Sequence, residues 1–533
     1  MSVAASLLLA GARMPGETEP VDVTIVDGRV AAIVPAGSGD FGRSTAQPTP
    51  NTASVRSTSS RNGGGAAERI DLDGRWLIPG LWDHHVHFSA WAAVSRRLDV
   101  SAARSAAEVI ALVRGATAGR PRPTAGVPTR GAAAGGGVLV GFGFRDGLWA
   151  DEPTAAGLDA VSGDHPVVLV SGDLHCCWLN SAALALFGRA GHPTGVLRED
   201  DAFAVQRALD DVPAETLDAW ALDAARAAAA RGVVGVVDLE MAWNHEVWQR
   251  RAAAGHDLLR VEFGVYPQHL DRAIADGLRT GDVVDGGLVR VGPFKVITDG
   301  SLNTRTAFCF DEYPGLEGTP DSRGLLTVPP EALRELLIRA TAAGFVPAVH
   351  AIGDNANQLV LDAFESVGCA GSLEHAQLLA LADVPRFAAL GVTASVQPEH
   401  AMDDRDVADR FWAGRTDRSF ALASLLEAGA TLALGSDAPV APLDPWVTMA
   451  AAVGRTRDGR EPWHPEQRIP AAAALAASTR AGTRVRLGAP ADLAVTELDP
   501  LASGDDPAAE AARLRTMPVA LTLLAGRLTH RAL

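Results

Sequence analysis

The segment "LWDHHVHF" at residues 81–88 places three histidines and an aspartate within five positions, directly after the apolar run "WLIPG". Four more polar residues end apolar runs further along: Lys295 in "VRVGPFKVITDG", His350 in "FVPAVHAIG", His375 in "AGSLEHAQLL" and Asp437 in "TLALGSDAPV". In a β-strand, residues i and i+2 share a face, so His85 and His87 point together while His84 points the other way. Imidazole nitrogens and a carboxylate are the ligands a Zn²⁺-like ion prefers, and a catalytic ion keeps one position open for water. A lysine fits such a set only without its charge, because an ammonium would be repelled by the metal. A desolvated Lys295 amine that captures CO₂ becomes a carbamate, an anion able to bridge two metals. Two divalent ions about 3.5–4 Å apart polarise a carbonyl and bring the pKa of water toward neutrality. Asp437 would then take the proton from that water and deliver it to a leaving amine.

Each residue also has a plainer reading. His85 and His87 could sit in a polar loop, and His350 and His375 could be satisfied core histidines. Lys295 could pair with a carboxylate, and Asp437 in "SDAP" could cap a helix that starts at a proline.

The elements around these residues favour the chemical reading. Apolar runs alternate with Ala/Leu-rich helical patterns through "GVVGVVDL", "LRVEFGVY", "VRVGPFKVITDG", "FVPAVHAIG", "AGSLEHAQLL", "GVTASVQPEH" and "TLALGSDAPV". Together with the strand ending in "DHHVH" they make eight, the count of a (β/α)8 barrel, in which chemistry sits where strands end. The expected fold is therefore α/β, a distorted (β/α)8 TIM barrel with a small β-sandwich built from both termini. "MSVAASLLLAGARMPG" reads as a first strand, and "PVDVTIVDGRVAAIV" as a hairpin around a "DG" turn. "ADLAVTELDP" and "ALTLLAGRLTH" supply matching strands at the far end.

The expected boundaries are residues 1–78 and 485–533 for the sandwich and 79–484 for the barrel, with an insertion around 89–230. Residues 36–67 are rich in Gly, Ser, Thr, Pro and Asn and nearly without large apolar side chains. They read as a disordered insertion, and residues 119–137 form a weaker stretch of the same kind.

The bulk numbers exclude other classes. A net charge of -17 disfavours nucleic acid and anionic membrane, which attract basic surfaces. Hydrophobic content of 47% is ample for a large core. Four irregularly spaced cysteines, Cys176, Cys177, Cys309 and Cys369, make no disulfide framework and suggest a reducing compartment. Vicinal Cys176 and Cys177 lack partners at zinc-site spacing and read as packing residues. The apolar start lacks a basic leader and is too short to span a bilayer, so a cytoplasmic protein is expected.

In order along the chain, "PGLWDHHVHF", "FKVITDGSLNTRTA", "VHAIGDNAN", "LEHAQL", "SVQPEH" and "LGSDAPVAPLDP" resemble the successive motifs of the amidohydrolase superfamily. More narrowly they resemble its amidohydrolase 3 branch, which includes N-substituted formamide deformylase-like enzymes. The likeness runs from about residue 76 to the end and includes "GFGFRDGLW", "GDLHCCWLN", "PTGVLRE" and "PADLAVTELDP". It implies that His85 and His87 bind a first metal, carbamylated Lys295 bridges, His350 and His375 bind a second, and Asp437 is ligand and acid/base. It further implies that His175, Arg305, Gln397 and His400 line the substrate pocket. The chain departs from its relatives in three places: "DHH" for "DSH", Asn303 for a glycine, and "GDLHCCW" for "DGHAAW". Trp149 and Trp178 are candidates for a pocket cap or for core, and Asp173 and Glu199 for turn chemistry.

The expected activity is hydrolysis of a non-peptide C–N bond, in an amide, formamide, carbamate or cyclic amide, with one or two divalent ions, most simply Zn²⁺. The expected partner is a small-molecule substrate, with no nucleic acid and no membrane; a homodimer is a possible assembly. Ester hydrolysis or deamination on the same scaffold is the alternative, and a binding or scaffold protein that has lost its chemistry is the reading from another class.

Overall fold

A computed structural model describes residues 6–38, 68–118, 137–144, 146, 149–171, 176–198, 200–210, 212–284, 287–502, 504 and 506–533. Residues 39–67 and 119–136, and with them most of the two Gly/Ser/Pro-rich stretches, lie outside the described residues, as do Asp173, His175 and Glu199. The chain divides into two compact units, Met1–Phe88 with Ala225–Leu533, and Ser89–Ala224.

The first unit contains the barrel. Its strands are β1 (Leu81–Val86), β2 (Val233–Asp238), β3 (Arg260–Val265), β4 (Val289–Ile297), β5 (Pro347–Ala351), β6 (Ser372–His375), β7 (Thr393–Val396) and β8 (Leu432–Leu434). They form one parallel sheet in sequence order. Both faces of these strands are largely buried because one side fills the barrel and the other meets the helices. A parallel bridge from Val86 to Ala438 closes the sheet.

The terminal strands pack as expected. Ser6–Ala12, Val21–Val26, Arg29–Pro35 and Glu68–Asp71 make one four-stranded sheet, and Trp76–Pro79, Leu493–Thr496, Val519–Leu524 and Arg527–Arg531 make another. Leu9, Val23, Ile25, Ile70, Leu493 and Leu521 share one buried core between them. Each such side chain contributes about 1.5–3 kcal/mol by leaving water. In the "DG" hairpin turn, Asp27 and Gly28 both have positive φ, 50° and 73°. That is the type I′ geometry whose twist matches the strands it joins.

The second unit has its own five-stranded sheet, ordered Val196–Arg198, Cys176–Leu179, Val167–Ser171, Leu139–Phe144, Leu98–Asp99. Alternation sends Leu139, Val167, Leu169, Cys176 and Trp178 into one core and Val168, Val170, Cys177 and Leu179 into another. Cys176 and Cys177 are thus packing residues on opposite faces. Trp178 is core, with Trp149 packed against the same cluster. The four cysteines form no disulfide. Among the described residues no helix is long and apolar enough to cross a membrane.

Candidate active site

The segments that carry the first and last candidate ligands also close the barrel. Asp437 N donates to His85 O at 2.7 Å, and His87 N donates to Ala438 O at 2.8 Å. Asp83 Oδ1 accepts from Ser436 N at 2.9 Å. Gly435 permits this approach, since a Cβ there would stand 2.7 Å from both the backbone N and the Cβ of His85. His84 points away from its neighbours, as alternation requires. Its ring is buried near Trp82, with Nδ1 3.1 Å from Leu434 O. Burial and Arg480 push its pKa down to about 3, so it is a neutral seam residue.

At the mouth, Asp437 is the hub. Its Oδ1 lies 3.5 Å from His85 Nε2 and 3.3 Å from His87 Nε2, and its Oδ2 lies 3.9 Å from His400 Nε2. It does not cap a helix. That task falls to Asp444, which accepts from Trp446 N at the start of helix Pro445–Gly454. His375 stands 4.9 Å from His85 and 4.4 Å from His350, ring centre to ring centre. Two sets hold ligand atoms mutually within 4.8 Å: His85, His87 and Asp437, and His375, His400 and Asp437. The likeness pairs His350 with His375, whereas the second of these sets contains His400. His350 instead has Nε2 3.3 Å from Asp299 Oδ1.

His375, Asp437 and Arg305 have φ of 78°, 56° and 57°. Non-glycine residues hold this conformation at a cost of about 1–3 kcal/mol, and it recurs at functional sites. In His375 and Asp437 it comes at or just past a strand end, where the chain must turn to face the mouth.

The electrostatics separate the groups. Burial pushes His85 down to about 4, helped by Lys295, and holds His375 well below the usual histidine range, with His350 and His85 adding to it. Both present neutral imidazole, the form that ligates. Burial disfavours a charged Asp437, but the surrounding histidines, His85 foremost, hold its carboxyl well below the carboxylate range. For His87, burial is outweighed by the hydrogen bond and charge of Asp437, and its pKa rises. Lys295 is 1% exposed, and burial lowers its pKa against the pull of Glu374 and Asp437.

Several buried polar atoms here have no hydrogen-bond partner among the described residues: Lys295 Nζ, His350 Nε2, His375 Nδ1, His400 Nε2, Gln377 Oε1 and Gln397 Oε1. Buried polar groups are rarely left so. Imidazoles, a carboxylate and a buried amine without a partner fit a divalent metal centre in donor type and in number. The set is open on one side, with the His87, His350 and Asp437 side chains 21%, 14% and 12% exposed against 1% for His85.

The structure also brings in groups that the sequence does not announce. Glu374 Oε2 lies 2.6 Å from His85 Nδ1, and its Oε1 accepts from the Ser372 hydroxyl. The hydrogen bond from His85 overcomes burial and holds Glu374 at about 2. Asp299 accepts from the backbone of Phe308, Ile352 and Gly353, tying the loop after β4 to the end of β5 that bears His350. A carboxylate inside the apolar strand "SLEH" is the one sequence signal for Glu374. Of the pocket candidates, Gln397 is buried with Nε2 3.3 Å from Ser395 O. Arg305 is half-buried, with its guanidinium 5.3 Å from the centre of the Phe411 ring. His175 lies outside the described residues.

A closed parallel barrel with a histidine–carboxylate cluster where its strands end is an arrangement that could hold a divalent metal. The chain belongs to the amidohydrolase family, hydrolases acting on carbon–nitrogen bonds, whose family model matches residues 68–530. It is 30% identical over 459 residues to "Protein LONG AFTER FAR-RED 3" of Arabidopsis thaliana, covering 79% of this chain and 76% of that one. It is 26% identical over 451 residues to "N-substituted formamide deformylase" of Arthrobacter pascens, covering 77% and 79%. The fold is that of an uncharacterized metal-dependent hydrolase from Pyrococcus furiosus, with a TM-score of 0.70 at 23% identity over 93% of this chain and all of the other.

Because Glu374 fixes the far nitrogen of His85, Glu374→Gln is expected to lower divalent-metal affinity about 10–100-fold. Titration against a chromogenic chelator measures this, and unchanged affinity would reduce Glu374 to a packing role.

Proposed function

We propose that the protein hydrolyses a non-peptide C–N bond in a small N-acyl compound, with amides, formamides, carbamates and cyclic amides as the substrate class. The observation that carries this is the convergence of His85, His87 and His400 on Asp437 at 3.3–3.9 Å in the barrel mouth. The deformylase relative points to N-formyl compounds first.

His85 and His87 would hold one divalent ion, His350 and His375 a second, and Asp437 a position on one of them, with Zn²⁺ the simplest ion for this nitrogen-rich set. Bound there, the ions supply Lewis acidity for a carbonyl oxygen and lower the pKa of water. Lys295 is read as the bridging carbamate: its neutral Nζ forms a bond to the carbon of CO₂, loses a proton and becomes an anion. The support is a buried amine without a hydrogen-bond partner among the described residues, near enough to His85, His375 and Asp437 to couple to them electrostatically. Asp437, ionised by its neighbours, accepts the proton of the attacking water at a carboxylate oxygen and returns it to the leaving nitrogen. Glu374 keeps the His85 ring in one orientation throughout. Arg305, Gln397, His400 and His175 are assigned to substrate contact.

Elemental mass spectrometry on purified, unchelated protein, paired with a screen of N-formyl and N-acyl amines, tests the reading. About two equivalents of metal per chain with turnover is the expected result. About one equivalent keeps the hydrolase and removes the bridge. No metal after reconstitution with zinc and bicarbonate overturns it.

A further inference from the structure

We propose that Asp404 is a specificity-determining residue that binds a positively charged nitrogen of the substrate, one helical turn along from His400, with Asn303 as the residue that positions its carboxylate. The inference deepens the hydrolase reading and rests on it.

Asp404 lies between two groups already assigned to substrate contact. It follows His400 by four residues on helix His400–Phe411, so the two side chains share a face with Cβ atoms about 5–6 Å apart. Its Oδ1 accepts from Asn303 Nδ2 at 2.8 Å. Asn303 stands two residues before Arg305, on the loop that follows β4. Leu302 and Ala307 of that loop share a buried core with Ala401, Met402 and Ala408 of the helix, so loop and helix are fixed against each other. His400 Nε2 in turn is 3.9 Å from Asp437 Oδ2. A substrate that touches both His400 and Arg305 passes Asp404.

Asp404 also differs from the other acidic residues of its helix. Asp403 is met by Arg457 at 2.7 Å and Asp406 by Arg460 at 2.6 Å, and Asp409 accepts from the Trp463 indole N–H at 3.0 Å. Asp404, on the His400 face, has only the neutral amide of Asn303. Among the described residues no arginine or lysine pairs with it, and its Oδ2 has no hydrogen-bond partner. Burial pushes its pKa up, and His400 and Asn303 offset this only in part. Arg305 does not supply the missing charge, since its guanidinium lies 5.3 Å from the centre of the Phe411 ring, further along the helix. A half-buried carboxylate that the fold leaves without a cation is completed by one that the substrate brings, and such charge-assisted bonds are the strong ones.

The experiment compares N-(3-aminopropyl)formamide with its neutral isostere N-butylformamide on the zinc-loaded protein, by turnover and by calorimetric binding. Wild type is expected to favour the cationic compound about 10–100-fold in affinity and in kcat/KM, the strength of a hydrogen bond to a charged group. Asp404→Asn keeps an oxygen for Asn303 and removes the charge. It is expected to stay folded in thermal melting and to lose the preference. Asn303→Ala keeps the charge but releases the carboxylate, and is expected to lower the preference mainly through KM. A residue that merely tied the loop to the helix would change melting and affect the two compounds alike. Equal or undetectable binding of both compounds in wild type, or a preference that survives Asp404→Asn, overturns the proposal. If neither formamide is turned over, the hydrolase reading fails for this substrate class, while the calorimetric preference still decides the role of Asp404. If Asp404→Asn does not fold, the wild-type preference and Asn303→Ala decide it.

Discussion

Asp437→Asn is expected to lower kcat by about 10³-fold or more, at the upper end of what a positioned acid/base contributes, while leaving the protein folded. The substitution keeps the shape of the side chain and removes its charge and its ability to accept and return a proton. Among the described residues, Asp437 is the one carboxylate that meets His85, His87 and His400 together. Glu374 and Asp299, which also touch the cluster, are spent on His85 and Ser372 and on the backbone N–H groups of Phe308, Ile352 and Gly353 respectively. No second carboxylate is therefore placed to substitute. The barrel seam depends on the backbone of Asp437, whose N–H donates to His85 O, so the fold should hold. Thermal melting and the rate on the best formamide or amide substrate check both halves. Retained turnover would remove Asp437 from the mechanism.

Lys295→Ala is expected to be nearly as damaging, and partly reversible. The side chain is 1% exposed, and its amine has no hydrogen-bond partner among the described residues. If the amine were an ordinary structural lysine, truncation would empty a small buried volume and cost stability alone. If it carries a carbamate, truncation removes a bridging anion, and a short carboxylic acid such as acetate or propionate fits the space and restores part of the activity. Lys295→Met controls for volume, since it fills the space without an anion and is expected to stay inactive with or without added acid. The pKa direction supports the carbamate, because a buried amine is lowered toward the neutral, nucleophilic form. Full activity in Lys295→Ala without rescue refutes the bridge.

How much of this was legible in the sequence depends on how local each signal is. The eight barrel strands announce themselves because each is a short apolar run closed by a polar residue, a pattern written within ten positions. His85 and His87 follow from strand alternation alone, and so does the outward turn of His84. The hairpin at Asp27 and Gly28 follows from turn chemistry. Residues whose role depends on distant neighbours were not legible. Glu374 reads as a strand carboxylate until the fold sets it against His85, 289 residues away in sequence. The same holds for Asp404, which Asn303 meets from a distant loop, and for Asp299, which spends its oxygens on backbone N–H groups. The sheet of Ser89–Ala224 was hidden for another reason. Its edge strands have two and three residues, too short for a periodic signal, and its parallel and antiparallel pairs follow no single repeat.

The seam between β1 and β8 carries a consequence for how the molecule is made. Asp83 and Ser436, which bond across it, are 353 residues apart in sequence. The strand Trp76–Pro79 just before β1 pairs with a strand that begins at Leu493. A chain emerging from the ribosome therefore presents His85 and His87 long before Asp437 exists to meet them. Until most of the polypeptide has been synthesised, these histidines sit at an edge strand that can pair on one side only, with Val233–Asp238, without the partner that completes their cluster. Assembly of the site is thus among the last events in the life of the nascent chain, and a truncated translation product leaves the ribosome without it.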